Sequence, residues 1–308
     1  MKFYFLLRLK MTKRSPFFYV GDKYKIIKQI NKFFPKNIKR LIEPFCGGGS
    51  VFLNTEAKYY IENDNNYWMI ELHKFLCSFK NNPVLFFQKL EDEITKYNLS
   101  ASKMGITVPL EYKKLYIKTY FAIFNKKAYA NVRNDFNKDK SNYTLLYILL
   151  IYGFNHMLRF NSKGDFNLPV GNVDYNKNVY NALENYFNFL TKGNIDFKCL
   201  DFRTFLKSLE FDKDDFIYLD PPYLITKSEY NKNWTEKDER DLLVILDEIN
   251  DLGIKFALSN VLRYKDKKNN MLISWSKKYN VLKIKSNYIS YHDNSTNKII
   301  DEVLIINY

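Results

Sequence analysis

The chain of 308 residues predicts an α/β fold, a mostly parallel sheet with helices on both of its faces. Three observations predict it. Apolar runs of strand length fall at about 39–43, 57–62, 195–200, 215–220, 254–259, 280–286 and 302–307, with helical patterns between most of them. The first of these runs into a glycine-rich turn, and an acidic residue stands ~20 positions later, where doubly wound folds bind ribose hydroxyls. A later run, 216–219, stops abruptly at Asp220-Pro221-Pro222-Tyr223.

The elements read in order as follows. Residues 1–10 look briefly like a signal sequence, but Arg8 and Lys10 break the apolar run and no small-residue cleavage site follows; Met11 is a second candidate initiator. The first strand leads through Glu43-Pro44-Phe45-Cys46-Gly47-Gly48-Gly49-Ser50, with a helix expected from about Val51. Glycines there allow positive φ and let backbone approach a ligand closely. Tyr59-Tyr60-Ile61-Glu62 is a second strand that ends at Asn63-Asp64. Between about 75 and 194 the strand–helix rhythm stops. This insertion is helical in pattern, with Lys113, Lys114, Lys118, Lys126 and Lys127 among aromatics, and Tyr112, Tyr116 and Tyr120 at helical spacing. Such interleaving suits a phosphate backbone, and equally a solvated helix face over a core. The run 145–154 is too short for a membrane span and reads as a buried helix or strand. Ser162-Lys163-Gly164-Asp165 predicts a hairpin turn, with Gly164 supplying the positive φ. Past the strand Phe197-Lys198-Cys199-Leu200, Asp201 fits either a ligand contact or a helix N-cap. Leu242, Leu243, Ile245, Leu246 and Ile249 make one apolar face of a helix over 236–252. No helical pattern separates the last two strands, which predicts an antiparallel pair across the loop 288–300.

Composition narrows the function classes. An apolar content of 46% supports a substantial core. Three cysteines without metal-ligand spacing predict reduced thiols in a cytoplasm, and three histidines give a zinc site little support, so no metal is expected. No stretch resembles a transmembrane helix, so no membrane partner is expected. The formal net charge of +14 favours a polyanionic partner, although an AT-rich coding sequence would supply the same lysines.

The chemistry is carried by two motifs. In Asp-Pro-Pro-Tyr the prolines hold the chain extended beyond the sheet edge, which leaves Asp220 at a strand end with a ring three residues on. A carboxylate and the Pro221 carbonyl can accept two N–H bonds from an exocyclic amino group, and a ring can stack on a base. Alone, the motif could equally be a strand-to-loop turn. The glycine turn departs from dinucleotide spacing and has no basic anchor for a pyrophosphate, so a nucleoside without phosphates fits it better.

With these motifs in this order the chain resembles the DNA adenine-N6 methyltransferases of the Dam type, closest to the GATC-directed Dpn and Mbo kind of restriction–modification systems. The resemblance runs from Ser15-Pro16-Phe17-Phe18-Tyr19 through the Glu43 to Ser50 turn, Asn63-Asp64, the block Phe154-Asn155-His156-Met157-Leu158-Arg159-Phe160-Asn161 and Asp220 to Tyr223, to the C-terminal strand. It implies a Rossmann-like S-adenosylmethionine-dependent methyltransferase sheet with a mostly helical inserted target-recognition domain and a β-hairpin. The catalytic domain would be 11–74 with 195–308, and the recognition domain 75–194. It implies S-adenosylmethionine as cofactor, double-stranded DNA as partner, and a cognate restriction endonuclease acting separately. Asp220, Pro221, Pro222 and Tyr223 would be catalytic. Tyr19, Lys23, Glu43, Phe45, Gly47, Gly49, Asp64, Asp201, Phe202 and Asp220 would hold the cofactor. Phe154, Asn155, Met157, Arg159, Asn161 and Lys163 would contact DNA, with Arg159 reading a guanine. The family usually has Trp where Tyr19 stands and Gly where Asp22 and His156 stand. Sites such as GATATC are read by related enzymes. RNA adenine, cytosine N4 and protein glutamine are rival substrates, and a basic DNA-binding module without catalysis is a rival of another class.

Overall fold

The computed structural model describes residues 12–226, 233–285 and 300–308. The apolar run 1–10, Met11 and the expected loop 288–300, apart from Ile300, lie outside them. Among the described residues, β1 (Ile38–Glu43), β2 (Ala57–Asn63), β3 (Asn194–Lys198), β4 (Asp215–Leu219), β5 (Lys255–Tyr264), β6 (Lys267–Lys268), β7 (Asn280–Lys283) and β8 (Ile300–Ile306) form one sheet. Its order is β3-β2-β1-β4-β5-β8-β7, and β6 pairs with β5. The pairs from β3 to β5 are parallel. β8 runs antiparallel to both β5 and β7, as the missing helical pattern predicts. β2 lies on one side of β1 and β4 on the other, so strand order reverses there. Doubly wound sheets bind ligands at the carboxyl ends of strands flanking such a reversal.

The sheet divides two cores by the period-two alternation of its strands. Phe216 and Tyr218 of β4 join Leu41, Ala257 and Leu304 on one face. Ile217 and Leu219 join Ile42, Phe256 and Leu258 on the other. Strands buried on both faces read as continuous apolar runs, which is why they were legible as strands. The second face is covered by α8 (Phe202–Lys207), α9 (Glu236–Asp251) and α10 (Asn270–Trp275). α9 starts at a capping box between Thr235 and Asp238 and buries the predicted face, Leu242, Leu243, Ile245, Leu246 and Ile249.

The first face carries the short α1 (Ile27–Ile30), α2 (Tyr67–Ser78), and a helical block of α3 (Pro83–Lys96), α4 (Leu110–Leu115), α5 (Tyr120–Lys138), α6 (Tyr143–Tyr152) and α7 (Lys177–Lys192). α6 is the buried helix of this block, with Thr144 through Tyr152 all buried. Core residues from the block and the sheet form one continuous cluster. No helix among the described residues is long and apolar enough to cross a membrane.

Two local expectations are corrected. No α-helix follows the glycine turn, only a 3-10 turn at Phe52–Asn54. β2 begins at Ala57, so the chain has length for a single turn, and Phe52 is drawn wholly into the core. Tyr112, Tyr116 and Tyr120 do not share a helix: α4 ends at Leu115, Tyr116 caps it, and Tyr120 opens α5. Tyr112 instead packs on Tyr116 and edge-on to Phe124, while Tyr120 packs on Phe121.

Candidate active site

The carboxyl ends of β1, β2, β3 and β4 surround a cavity of about 390 Å³. Asn63 ties three of these ends together. Its Nδ2 donates to the carbonyls of Pro44 and Leu200, each at 3.0 Å, and its Oδ1 accepts from the Leu200 amide at 2.9 Å. The cavity wall includes Tyr19, Lys23, Glu43, Phe45, Gly47, Asp64, Asp201, Phe202, Asp220, Pro221, Pro222 and Tyr223. The structure thus brings together every residue expected at the catalytic and cofactor sites except Gly49. That residue stands behind the turn with φ +76°, and an added Cβ would lie 2.4 Å from the Phe52 ring.

The turn is held from several sides. Gly47 has φ +47°, a backbone state that glycine adopts without strain. Its amide donates to Asp64 Oδ2 at 2.9 Å, and Asp64 Oδ1 accepts from the Asn66 amide at 2.9 Å. Burial raises the Asp64 carboxyl above its ordinary value, against the pull of the Asn66, Gly47 and Asn65 amides. The Ser15 hydroxyl donates to the Gly48 carbonyl. Gly48 packs against Tyr19, whose hydroxyl accepts from Asn66 Nδ2 at 3.1 Å.

At the end of β4 the Lys23 ammonium, largely buried, pairs with Asp220 Oδ2. The Tyr223 hydroxyl donates to Asp220 Oδ1 at 3.0 Å. Burial and the nearby Asp220 charge push the Tyr223 phenol well up, so it stays a donor. Each carboxylate oxygen retains a lone pair for a further donor. The Asp220 side chain is 19% exposed, so it remains reachable from the cavity.

Glu43 and Glu62 are register partners at the ends of β1 and β2. Burial pushes both carboxyls well above the ordinary range, the Asp220 charge adding to the first and Glu43 to the second. Glu43 Oε1 and both oxygens of Glu62 are buried without a hydrogen-bond partner among the described residues. At the far end, Phe45, Phe202 and Trp234 form a triangle of rings with centroids 5.4–5.8 Å apart. Asp201 caps α8 by accepting from the Arg203 amide at 2.9 Å, and its other oxygen pairs with the Arg203 guanidinium. Arg203 also pairs with Asp238 and Asp241 of α9, fixing the two helices beside this corner.

The residues expected to contact DNA lie elsewhere. Residues 159–167 form the predicted hairpin: the Asn167 amide donates to the Arg159 carbonyl at 3.0 Å and Gly164 has φ +75°. Asn161 and Lys163 are exposed at its tip. Arg159 is also exposed, but two of its nitrogens donate to the Asn167 side chain and carbonyl at 2.9 and 2.8 Å. Phe160 stacks on Trp68 of α2 with centroids 4.7 Å apart, which anchors the hairpin. Phe154 is exposed, whereas Met157 packs against the core. Asn155 and His156 both have positive φ, so His156 holds without glycine a backbone state that glycine favours. The His156 ring packs 5.4 Å from Phe18, next to Tyr19 of the cavity wall.

Sequence reasoning missed Trp234, Glu62 and His73. Trp234 directly precedes the Thr235-x-x-Asp238 capping box, the one local signal that could have marked it. His73 lies on α2 and touches the Gly47 carbonyl.

A mostly parallel sheet with an acid-lined cavity at the carboxyl ends of its strands and Asp-Pro-Pro-Tyr at the rim has the Rossmann-like methyltransferase fold. The model of the D12 class N6 adenine-specific DNA methyltransferase family matches residues 19–289, and the chain belongs to that family. It is similar to the type II methyltransferase M.FokI of Planomicrobium okeanokoites, 34% identical over 96% of this chain and 43% of that protein. It is also similar to the modification methylase StsI of Streptococcus sanguinis, 35% identical over 98% of this chain and 44% of that protein. The DNA adenine methylase of Haemophilus influenzae is 32% identical over 73% of this chain and 69% of that protein. The chain spans less than half the length of the first two relatives.

Proposed function

We propose that the chain transfers a methyl group from S-adenosylmethionine to N6 of an adenine flipped out of double-stranded DNA. The observation that carries this is the charge of the cavity. Asp22, Asp64, Asp201, Asp220 and Asp238 line it, beside the buried Glu43 carboxyl, against Lys23 among the described residues. Such a wall repels phosphates and favours a cationic nucleoside. The orphaned Glu43 oxygen asks for a donor or cation, and the aromatic triangle offers faces to a planar base. These features fit the cofactor.

When bound, that cofactor supplies an electrophilic methyl on a cationic sulfur. Asp64 would hold the ribose hydroxyls, while Phe45, Phe202 and Trp234 enclose the base beside Asp201. Asp220 and the Pro221 carbonyl would accept the two N–H bonds of the target amino group and aim its lone pair. Asp220 would align the amino lone pair with the methyl that the cofactor supplies, and its accepted hydrogen bond would lead one amino proton away to solvent once the nitrogen is methylated. Positioning of this kind supplies much of the rate. Flipping is needed because the amino group inside a duplex is out of reach of in-line attack.

Residues 75–194 serve as the recognition domain in this reading, with the hairpin in the major groove and Arg159 on a guanine. GATC is the site that the hairpin's resemblance implies, and the restriction–modification relatives support a separate cognate endonuclease. The test is expression in cells lacking adenine methylation, followed by base-resolution mapping. N6-methyladenine in GATC is the expected result. Methylation confined to another sequence would replace the site and keep the chemistry; no methylated adenine would overturn the reading.

A further inference from the structure

Gly47 is gripped through both of its backbone polar groups. Its amide donates to Asp64, as above, and its carbonyl lies 2.8 Å from Nε2 of His73. A carbonyl only accepts, so Nε2 carries the proton. Burial holds the imidazole neutral, its pKa lowered to about 4. Nδ1 is therefore bare, and it lies 2.6 Å from the hydroxyl of Tyr186, which must donate. Burial pushes that phenol well above its ordinary value, so the donor persists. His73 and Tyr186 are both fully buried, among the rings of Phe17, Phe52 and Phe197. A buried polar chain with each member satisfied holds one orientation, because any other leaves a group unpaired.

The partners come from three parts of the molecule: the turn after β1, helix α2, and helix α7 of the helical block. Tyr186 is 113 residues from His73 in sequence. We propose that His73 and Tyr186 are positioning residues that set the Gly47–Gly48 peptide and so couple α7 to the cofactor turn. This rests on the reading that the turn cradles S-adenosylmethionine. Neither side chain lines the cavity, so each acts through Gly47.

Titration calorimetry of the full chain with S-adenosylmethionine tests it. Tyr186→Phe keeps the ring and removes the donor, and should weaken binding by about three- to tenfold. His73→Gln keeps a donor for the Gly47 carbonyl and should bind within about threefold of wild type, whereas His73→Leu should lose more than about tenfold. Tyr129→Phe is the control. It removes an equally buried hydroxyl that donates to the Leu149 carbonyl at 3.1 Å, away from the cavity. It should lower stability and leave cofactor affinity unchanged. Equal weakening by Tyr129→Phe and Tyr186→Phe would reduce the effect to general destabilisation and overturn the proposal. So would wild-type affinity in both Tyr186→Phe and His73→Leu. Nitrogen NMR of His73 gives a readout that needs no cofactor: the neutral Nε2–H tautomer is expected, with an Nδ1 shift that moves in Tyr186→Phe. A proton found on Nδ1 would refute the brace even if the wild type bound no S-adenosylmethionine, a result that would by itself sink only the functional reading.

Discussion

Asp220 and Asp64 are both carboxylates at strand ends, but the structure gives them different work. Asp220 faces Lys23 and Tyr223 at the cavity rim, and its two oxygens are arranged to take one more donor. Asp220→Ala should abolish methyl transfer while affinity for S-adenosylmethionine falls less than about tenfold; near-normal turnover would remove Asp220 from the chemistry. The same change should lower the unfolding temperature, because the buried Lys23 ammonium loses this ion-pair partner. Asp64 already accepts from the Gly47 and Asn66 amides, so it both shapes the turn and faces the cavity. Asp64→Ala should raise the cofactor dissociation constant about tenfold or more, since a charge-assisted hydrogen bond contributes ~1.5–3 kcal/mol. Unchanged affinity by calorimetry would place the ribose elsewhere. Both carboxylates were legible in the sequence because each ends an apolar strand run. Glu62 was not, because a glutamate inside Tyr59-Tyr60-Ile61-Glu62 reads as an outward-facing residue of an edge strand. Its buried position follows from the pairing with Glu43, which no local pattern encodes.

Among the elements, the hairpin 159–167 shows how a local signal and a distant one combine. Gly164 and its polar neighbours announced the turn, but its orientation depends on Phe160 stacking on Trp68 and on Asn137, which bonds the Phe166 amide at 2.8 Å. The Arg159 guanidinium is pre-set by Asn167 across the hairpin, so in the proposed role it would meet a base with part of its rotamer entropy already lost. Arg159→Ala should reduce discrimination at one base pair by ~1–3 kcal/mol, whereas Lys163→Ala should weaken all duplexes alike and flatten the salt dependence. Kinetics on duplexes substituted singly at each base pair separates the two. Equal loss on every duplex for Arg159→Ala would make that arginine a backbone contact. The break between α4 and α5 was illegible for the opposite reason. Tyr112, Tyr116 and Tyr120 keep helical spacing, yet the chain turns between 116 and 119, where Thr119 donates from its amide to the Tyr116 carbonyl at 2.6 Å. Periodicity records which faces are apolar and does not record a change of direction.

On the scale of the whole molecule, the helical block and the sheet share one core, and polar groups buried where they meet make stability depend on pH. Glu43 and Glu62 have folded-state pKa values raised by burial. Groups raised in the folded state contribute stability that is fully present below the unfolded carboxyl value near 4.5 and is lost as pH rises through the folded one. His73 acts in the opposite direction. Its folded value is lowered from 6.5 to about 4, so its contribution is complete above 6.5 and declines as pH falls toward 4. Above the unfolded carboxyl value the carboxyls therefore lower stability, each costing up to ~1.4 kcal/mol per pH unit for as long as the unfolded chain has released a proton that the folded chain keeps. Glu62→Gln has nearly the same shape and carries no proton to release. It should be more stable than wild type at pH 8, and the difference should shrink as pH falls toward the unfolded carboxyl value near 4.5, below which the wild-type carboxyl is neutral in both states. Denaturant titrations of the two proteins at pH 5, 6.5 and 8 measure this. A difference that does not vary with pH would mean that Glu62 is ionised in the folded protein, and that a cation or donor meets its buried oxygens.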